Sequence, residues 1–246
     1  MHHFIVRDYH ILSLGCRIFG IVNMNKRFRM SSVEIGNFVD EMSLLYGDIN
    51  KSYVERISEL IGQSLDDSAN IFAFRVDLRF TDPEAGCPDS PVCFQNTDEQ
   101  VMKRFFASLD SQLEAHAHQR RMRGVRVHPN NLRYVWVREQ NESALQHYHV
   151  VIILNKAAYY SLGDFFAPEP LAGKIQQAWC RAAGLDYPDY RGLVEFPENC
   201  GYWLSRESVY NRELPYTEFM QRAAYLAKEK TKIRGAGYRC FGSSQV

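Results

Sequence analysis

The chain has 246 residues, enough for one well-buried domain with an appendage and short for two full domains. Its 46% hydrophobic and 24% charged residues are those of an ordinary globular protein. Twenty-nine Lys and Arg against 29 Asp and Glu exclude a uniformly basic coat for nucleic acid, but not a local basic patch.

Residues 4–22 are apolar in places, but Arg7, Asp8, His10 and Arg17 interrupt them, so neither a signal segment nor a membrane span is expected. Ser13, Leu14, Gly15 and Cys16 faintly suggest a lipoprotein cleavage site, and the charges just before them argue against it. The expected location is the cytoplasm of a bacterial host, with no membrane partner. The six cysteines form no CxxC and read as free, mostly buried thiols.

Helical spacing of apolar residues runs over 33–46 and 52–61, and 64–68 reads as a connector. Residues 1–68 are therefore expected to form a partly helical accessory region, and 69–246 the main domain. Residues 71–80 alternate strictly: Phe72, Phe74, Val76, Leu78 and Phe80 face one way, Arg75, Asp77 and Arg79 the other. After a Pro- and Cys-containing loop, Thr97, Asp98, Glu99 and Gln100 read as a capping box opening a helix that fades near Gly124. Residues 132–139 and 147–154 read as a β-hairpin joined by seven residues. A helix over 171–183 should stop at Gly184, and 192–196 is a short strand candidate. A last helix, with Pro215 in its first turn, should run to about residue 233. From residue 71 the order is βαββαβ followed by a helix, which predicts an α+β fold: a ferredoxin-like or RRM-like antiparallel sheet with flanking helices, plus a small helical N-terminal region.

His147 and His149 are two apart on a strand, so both imidazoles fall on one face, about 7 Å apart along the chain. If Glu139 sits opposite His147, with Val137 facing His149 and Val135 facing Val151, its carboxylate joins the same face. Two imidazoles and a carboxylate suit a divalent cation with positions left open, Mg²⁺ or Mn²⁺. Glu142 in the loop and Asp77 on the first strand are further candidate ligands, and pairing with Arg75 or Arg79 is the plainer role for Asp77. In the last helix Tyr225 and Lys228 stand at i and i+3, where hydroxyl and ammonium could meet at one phosphate. A tyrosine hydroxyl is an acceptable nucleophile and leaving group in transesterification. Half-buried tyrosines on amphipathic helices are common, and Tyr216 and Tyr238 are rivals.

Six arginines and no acid lie between 115 and 138, including Arg120, Arg121, Arg123 and Arg126. Six bases against one Glu lie between 222 and 239, including Lys232. With Arg75 and Arg79 these are the candidate nucleic-acid contacts, and the two runs could border one groove. Tyr134, Trp136 and Tyr148 share the strand face away from the histidines and could stack on bases, or could be ordinary core.

Together the His-x-His strand, the preceding polar-faced strand and the Tyr-x-x-Lys resemble the motifs of HUH endonucleases in order and spacing. A closer resemblance covers residues 70–245. The runs FAFRVDLRF, RYVWVREQ, HYHVVIILNK, LVEFPEN and AAYLAKEKTK resemble the YagK/YfjJ C-terminal domain family, whose members are often labelled inovirus replication-protein-like. The resemblance implies that His147, His149 and Glu139 hold a metal, that Tyr225 is the nucleophile and that Lys228 assists it. It implies metal-dependent nicking and strand transfer on single-stranded or hairpin DNA at the replication origin of a phage or prophage. Unlike many replication initiators, the chain has no segment that fits a helicase, so a host helicase would be a partner. A catalytically inactive relative that binds DNA or RNA hairpins is the competing expectation.

Overall fold

The computed structural model describes residues 28–82, 94–140, 145–230, 232 and 239–245. In chain order the elements are α1 (Ser32–Tyr46), α2 (Lys51–Asp67), β1 (Asn70–Leu78), α3 (Val101–Met122), β2 (Arg133–Glu139) and β3 (His147–Asn155). They continue with α4 (Leu171–Ala183), β4 (Val194–Glu195), β5 (Gly201–Ser205), α5 (Arg206–Tyr210), α6 (Leu214–Ala224) and β6 (Phe241–Ser243). The fold is α+β. Six strands form one sheet in the order β4-β1-β3-β2-β6, with β5 also beside β1, and every pairing is antiparallel. Among the described residues no helix is long and apolar enough to cross a membrane.

Strand alternation divides the sheet into two packed faces. Phe72, Phe74, Val76 and Leu78 of β1 join Tyr148, Val150 and Ile152 of β3 under α3 and α4, around the fully buried Trp179. The indole Nε1 of Trp179 donates to the Arg79 carbonyl at 2.7 Å, which satisfies its only polar atom. On the other face Ala73, Val135, Val137, Val151 and Ile153 pack against Val54, Ile57, Leu60 and Ile61 of α2 and Phe219, Met220 and Ala223 of α6. The helical segment that the composition sets apart as an accessory region thus roofs one side of the sheet. A capping box between Ser31 and Glu34 starts α1, and the Asn50 side chain caps α2.

Several elements depart from the sequence reading. Residues 64–67 are the last turn of α2 rather than a connector, because Leu65 is buried. The Thr97–Gln100 capping box does not form. The Asp98 carboxylate accepts from Gln100 N at 2.8 Å and pairs with Arg104, and α3 begins at Val101 without a side-chain cap. The strand expected over 192–196 is a 3-10 turn followed by two strand residues. β5, α5 and β6 had no counterpart in the pattern, being short and carried by tertiary pairing.

α4 matches its expected bounds, with Gly184 at φ 74° as its left-handed cap. Within it Gly173 faces backbone. A Cβ there would run into Ala167 O and the Pro168 carbonyl, neither of which can swing aside. In an open helix Gly→Ala stabilises by roughly 1 kcal/mol. Here Gly173→Ala is expected to destabilise by about 1–3 kcal/mol, since overpacking wins over propensity. A thermal melt reads the sign directly, and a raised Tm contradicts this packing.

Candidate metal centre and tyrosine site

The site forms on the α2/α6 face, at the end of the sheet where β1 and β2 finish and β3 begins. The register is the one that parity required: Glu139 opposite His147, Val137 opposite His149 and Val135 opposite Val151. On its other side His149 faces Asp77 of β1. One ligand atom from each of Glu139, His147 and His149 lies within 4.8 Å of the others. The two imidazoles are 4.9 Å apart and nearly perpendicular. Glu139 is 1% exposed and His149 4% exposed, while His147 is half-buried. Burial holds the His147 imidazole below its usual pKa, against the opposing pull of Glu139, so it stays in the neutral, ligating form near neutral pH.

Asp77 is not a member of this triad; it stands behind it. His149 Nδ1 is 2.8 Å from Asp77 Oδ1 and 2.9 Å from Arg75 Nη2. Arg75 in turn donates to both oxygens of Asp77 at 2.8 Å. A bare Nδ1 would repel a carboxylate oxygen at 2.8 Å, so Nδ1–H donated to Asp77 is the tautomer that fits this contact; the Arg75 approach is then not a hydrogen bond, and the Nε2 lone pair faces Glu139, 3.5 Å away. Burial alone would raise the Asp77 pKa, but hydrogen bonds from His149 and Arg75 outweigh it and hold it at about 2. Two imidazoles, one buried carboxylate and an orienting second carboxylate are a donor set that fits a divalent cation.

Glu139 is also ringed by cations. Lys232 Nζ lies 3.2 Å from Oε1 and Lys228 Nζ 3.5 Å from Oε2. Burial lowers the Lys232 pKa, and Glu139 opposes that shift.

Tyr225 reaches this centre from a break in the chain. The helix expected to run to about residue 233 ends at Ala224. Tyr225–Ala227 make a 3-10 turn, and Lys228 is extended. The cause is tertiary. Ala227 O accepts from Asn50 N at 2.7 Å, Asp48 O accepts from Glu229 N at 2.8 Å, and Ile49 bridges Lys228. The loop between α1 and α2 captures the strand-like segment, and helical propensity loses. The half-buried Tyr225 ring lies edge-on to His149 at 5.6 Å and to Tyr46 at 5.8 Å. The Arg75 guanidinium is 5.0 Å from its centroid and the Lys228 ammonium 3.5 Å. Lys228 therefore meets the ring, not by i,i+3 stacking on a helix but by folding back over it. Tyr46 was not singled out by any sequence pattern. Arg75 was, both as a DNA contact and as one of two possible partners of Asp77, and the structure gives it the second role.

The remaining candidates are dispersed. Tyr216 is buried under α2, and burial pushes its pKa up to about 12. Tyr238 and Glu142 lie outside the described residues. Arg79 pairs with Glu195 on the surface at 3.0 Å. Arg120 and Arg121 lie in the last turn of α3 and Arg123 and Arg126 follow it, about 33 Å from its start at 1.5 Å per residue. His116, just before them, bonds Tyr159 beyond the end of β3, at the opposite end of the sheet from the histidines. They do not border the site. Tyr134 stacks on Phe106, Trp136 lies edge-on to Tyr148, and Tyr148 is 2% exposed, so these rings serve the core and the wall of a cleft of about 730 Å³ on the opposite face.

Asp77→Asn keeps the shape of the orienting group and removes its charge. It is expected to weaken Mn²⁺ binding by about 10–100-fold, measured by titration. The depressed pKa of Asp77 adds stability that is present above its ordinary value of 3.8 and is lost as pH falls through about 2. The variant should accordingly show a flatter decline in urea midpoint than the parent between about pH 4 and pH 2. Equal acid profiles would mean that the pair with Arg75 and His149 is not held in solution.

Residues 35–244 match the YagK/YfjJ C-terminal domain. The chain is 35% identical over 195 residues to the uncharacterized protein YagK of Escherichia coli (strain K12), covering 79% of this chain and 92% of that protein. It is 34% identical over 204 residues to the uncharacterized protein YfjJ of the same organism, covering 81% of this chain and 97% of that one. No solved structure matches. On these matches the chain belongs to the YagK/YfjJ C-terminal domain family.

Proposed function

We propose that the protein is a metal-dependent, single-tyrosine DNA nickase and strand-transferase of the HUH type, acting on single-stranded or hairpin DNA at the origin of a phage or prophage element. The observation that carries this is the packing of Tyr225 against His149, one of the three residues of the Glu139-His147-His149 triad. The β1-α3-β2-β3-α4-β4 order and the β4-β1-β3-β2 sheet support a ferredoxin-like reading of the core, as in the HUH group.

A divalent cation held by Glu139, His147 and His149 would supply polarisation of a non-bridging phosphate oxygen. The protein's own residues do the rest. Asp77 fixes the His149 ring. Tyr225 Oη attacks phosphorus, a phosphotyrosyl bond forms and the P–O3′ bond breaks, and the phenolic proton is in net transferred to the leaving 3′ oxygen. Arg75 and Lys228, on either side of the ring, offset charge on the phosphoryl group. Attack by a later 3′ hydroxyl reverses the step and rejoins a strand, since the phosphotyrosine conserves the energy of the broken bond.

The test uses labelled single strands from the protein's own replicon, with Mn²⁺ or with EDTA, run on a denaturing gel. A metal-dependent covalent protein–DNA band is expected, and Tyr225→Phe should abolish it while leaving DNA binding within about twofold, because the phenyl ring keeps its packing. An adduct that survives in Tyr225→Phe assigns the nucleophile elsewhere. Metal and hairpin binding with no adduct in any form makes the protein a regulator instead.

A further inference from the structure

Glu139 has two claims on it. It is the carboxylate of the histidine triad, and it is also the acceptor for Lys232 and Lys228. The Lys232 side chain is 1% exposed and that of Glu139 0% exposed, so this pair is sealed from water. In such surroundings a dication at the triad and an ammonium at 3.2 Å from the same carboxylate repel each other with little screening. Arg75 pairs with Asp77, while Lys228 and Lys232 both converge on Glu139, so a metal adds positive charge where two ammonium groups already stand.

We infer that Lys232 is an internal competitor for the metal position: a divalent cation binds the triad by drawing Glu139 away from Lys232, and a phosphodiester then answers the freed positive charge. Metal alone binds weakly, and metal and single-stranded DNA strengthen each other's binding by the same factor. The centre is thereby loaded together with its substrate. This rests on the proposal that the triad takes a divalent ion. Lys228 shares the arrangement but also covers the Tyr225 ring, so Lys232 is the position that isolates the competition.

The test reads metal binding, not cleavage. Mn²⁺ is titrated into the full chain carrying Tyr225→Phe, followed by the loss of the free-ion paramagnetic resonance signal, with and without a single-stranded oligonucleotide. In this parent the oligonucleotide is expected to tighten Mn²⁺ binding. Adding Lys232→Met should tighten Mn²⁺ on the order of tenfold without DNA, because one ammonium fewer competes for the carboxylate, and should shrink the effect of the oligonucleotide. Lys232→Gln, which keeps a donor without charge, gives the same direction should the Met variant fail to fold. His147→Ala identifies the centre by losing the ion. If His147→Ala loses Mn²⁺ while Lys232→Met and Lys232→Gln bind it no more tightly than the parent, the centre stands and the competition is wrong. If no version binds Mn²⁺, the centre falls and this inference with it.

Discussion

A carboxylate removed from water at the end of a sheet is the constraint on which the rest of this structure depends. Glu139 has no exposed side-chain surface, and an unpaired anion there would cost several kcal/mol. Lys228, after the 3-10 turn, and Lys232, four residues on, bring compensating charge from one stretch of chain. They can arrive only if that stretch is held, and the loop between α1 and α2 holds it. The N-terminal helices therefore take part in the electrostatics of the site although no ligand atom comes from them.

The two-residue period of the sheet puts one core under α3 and α4 and sets the site beside a second core under α2 and α6. In β1 the even-numbered residues from Phe72 to Leu78 build the core under α3 and α4, while Arg75 and Asp77 emerge on the other face. β3 does the same, with Tyr148 and Val150 on one side and His147 and His149 on the other. A slip of one residue in either pairing would turn the histidines under Trp179 and carry the aromatic row to the α2/α6 face. Packing on both faces thus fixes the register that sets the geometry of the triad.

That coupling explains what could be read in advance. Strong alternation made β1, β2 and β3 legible, and parity alone carried the Glu139–His147 opposition. The 3.6-residue period and Gly184 made α4 legible to its bounds. β5 and β6 are short edge strands whose pairing partners are remote in sequence, so no local pattern marks them. The site was legible where it sits on strands and illegible where loops deliver it. Tyr46, and the fold-back of Lys228 over Tyr225, depend on contacts between residues some 180 positions apart. The arginine run after α3 misled for the opposite reason: nearness in composition says nothing about which end of a long helix a charge occupies.

The break at Tyr225 has a consequence for the tyrosine itself. Had α6 continued, the Tyr225 and Lys228 side chains would project from one helical face, each free to sample several rotamers. Ending the helix at Ala224 turns the backbone so that the ring enters a slot walled by His149, Tyr46, Arg75 and Lys228. Rotamer freedom is spent on folding rather than on meeting a substrate. The cations at 3.5 and 5.0 Å from the ring lie where an approaching anion would be drawn toward the phenol edge. Orientation by tertiary capture in place of helical regularity is what makes Tyr225, among the described tyrosines, the one whose ring lies edge-on to His149.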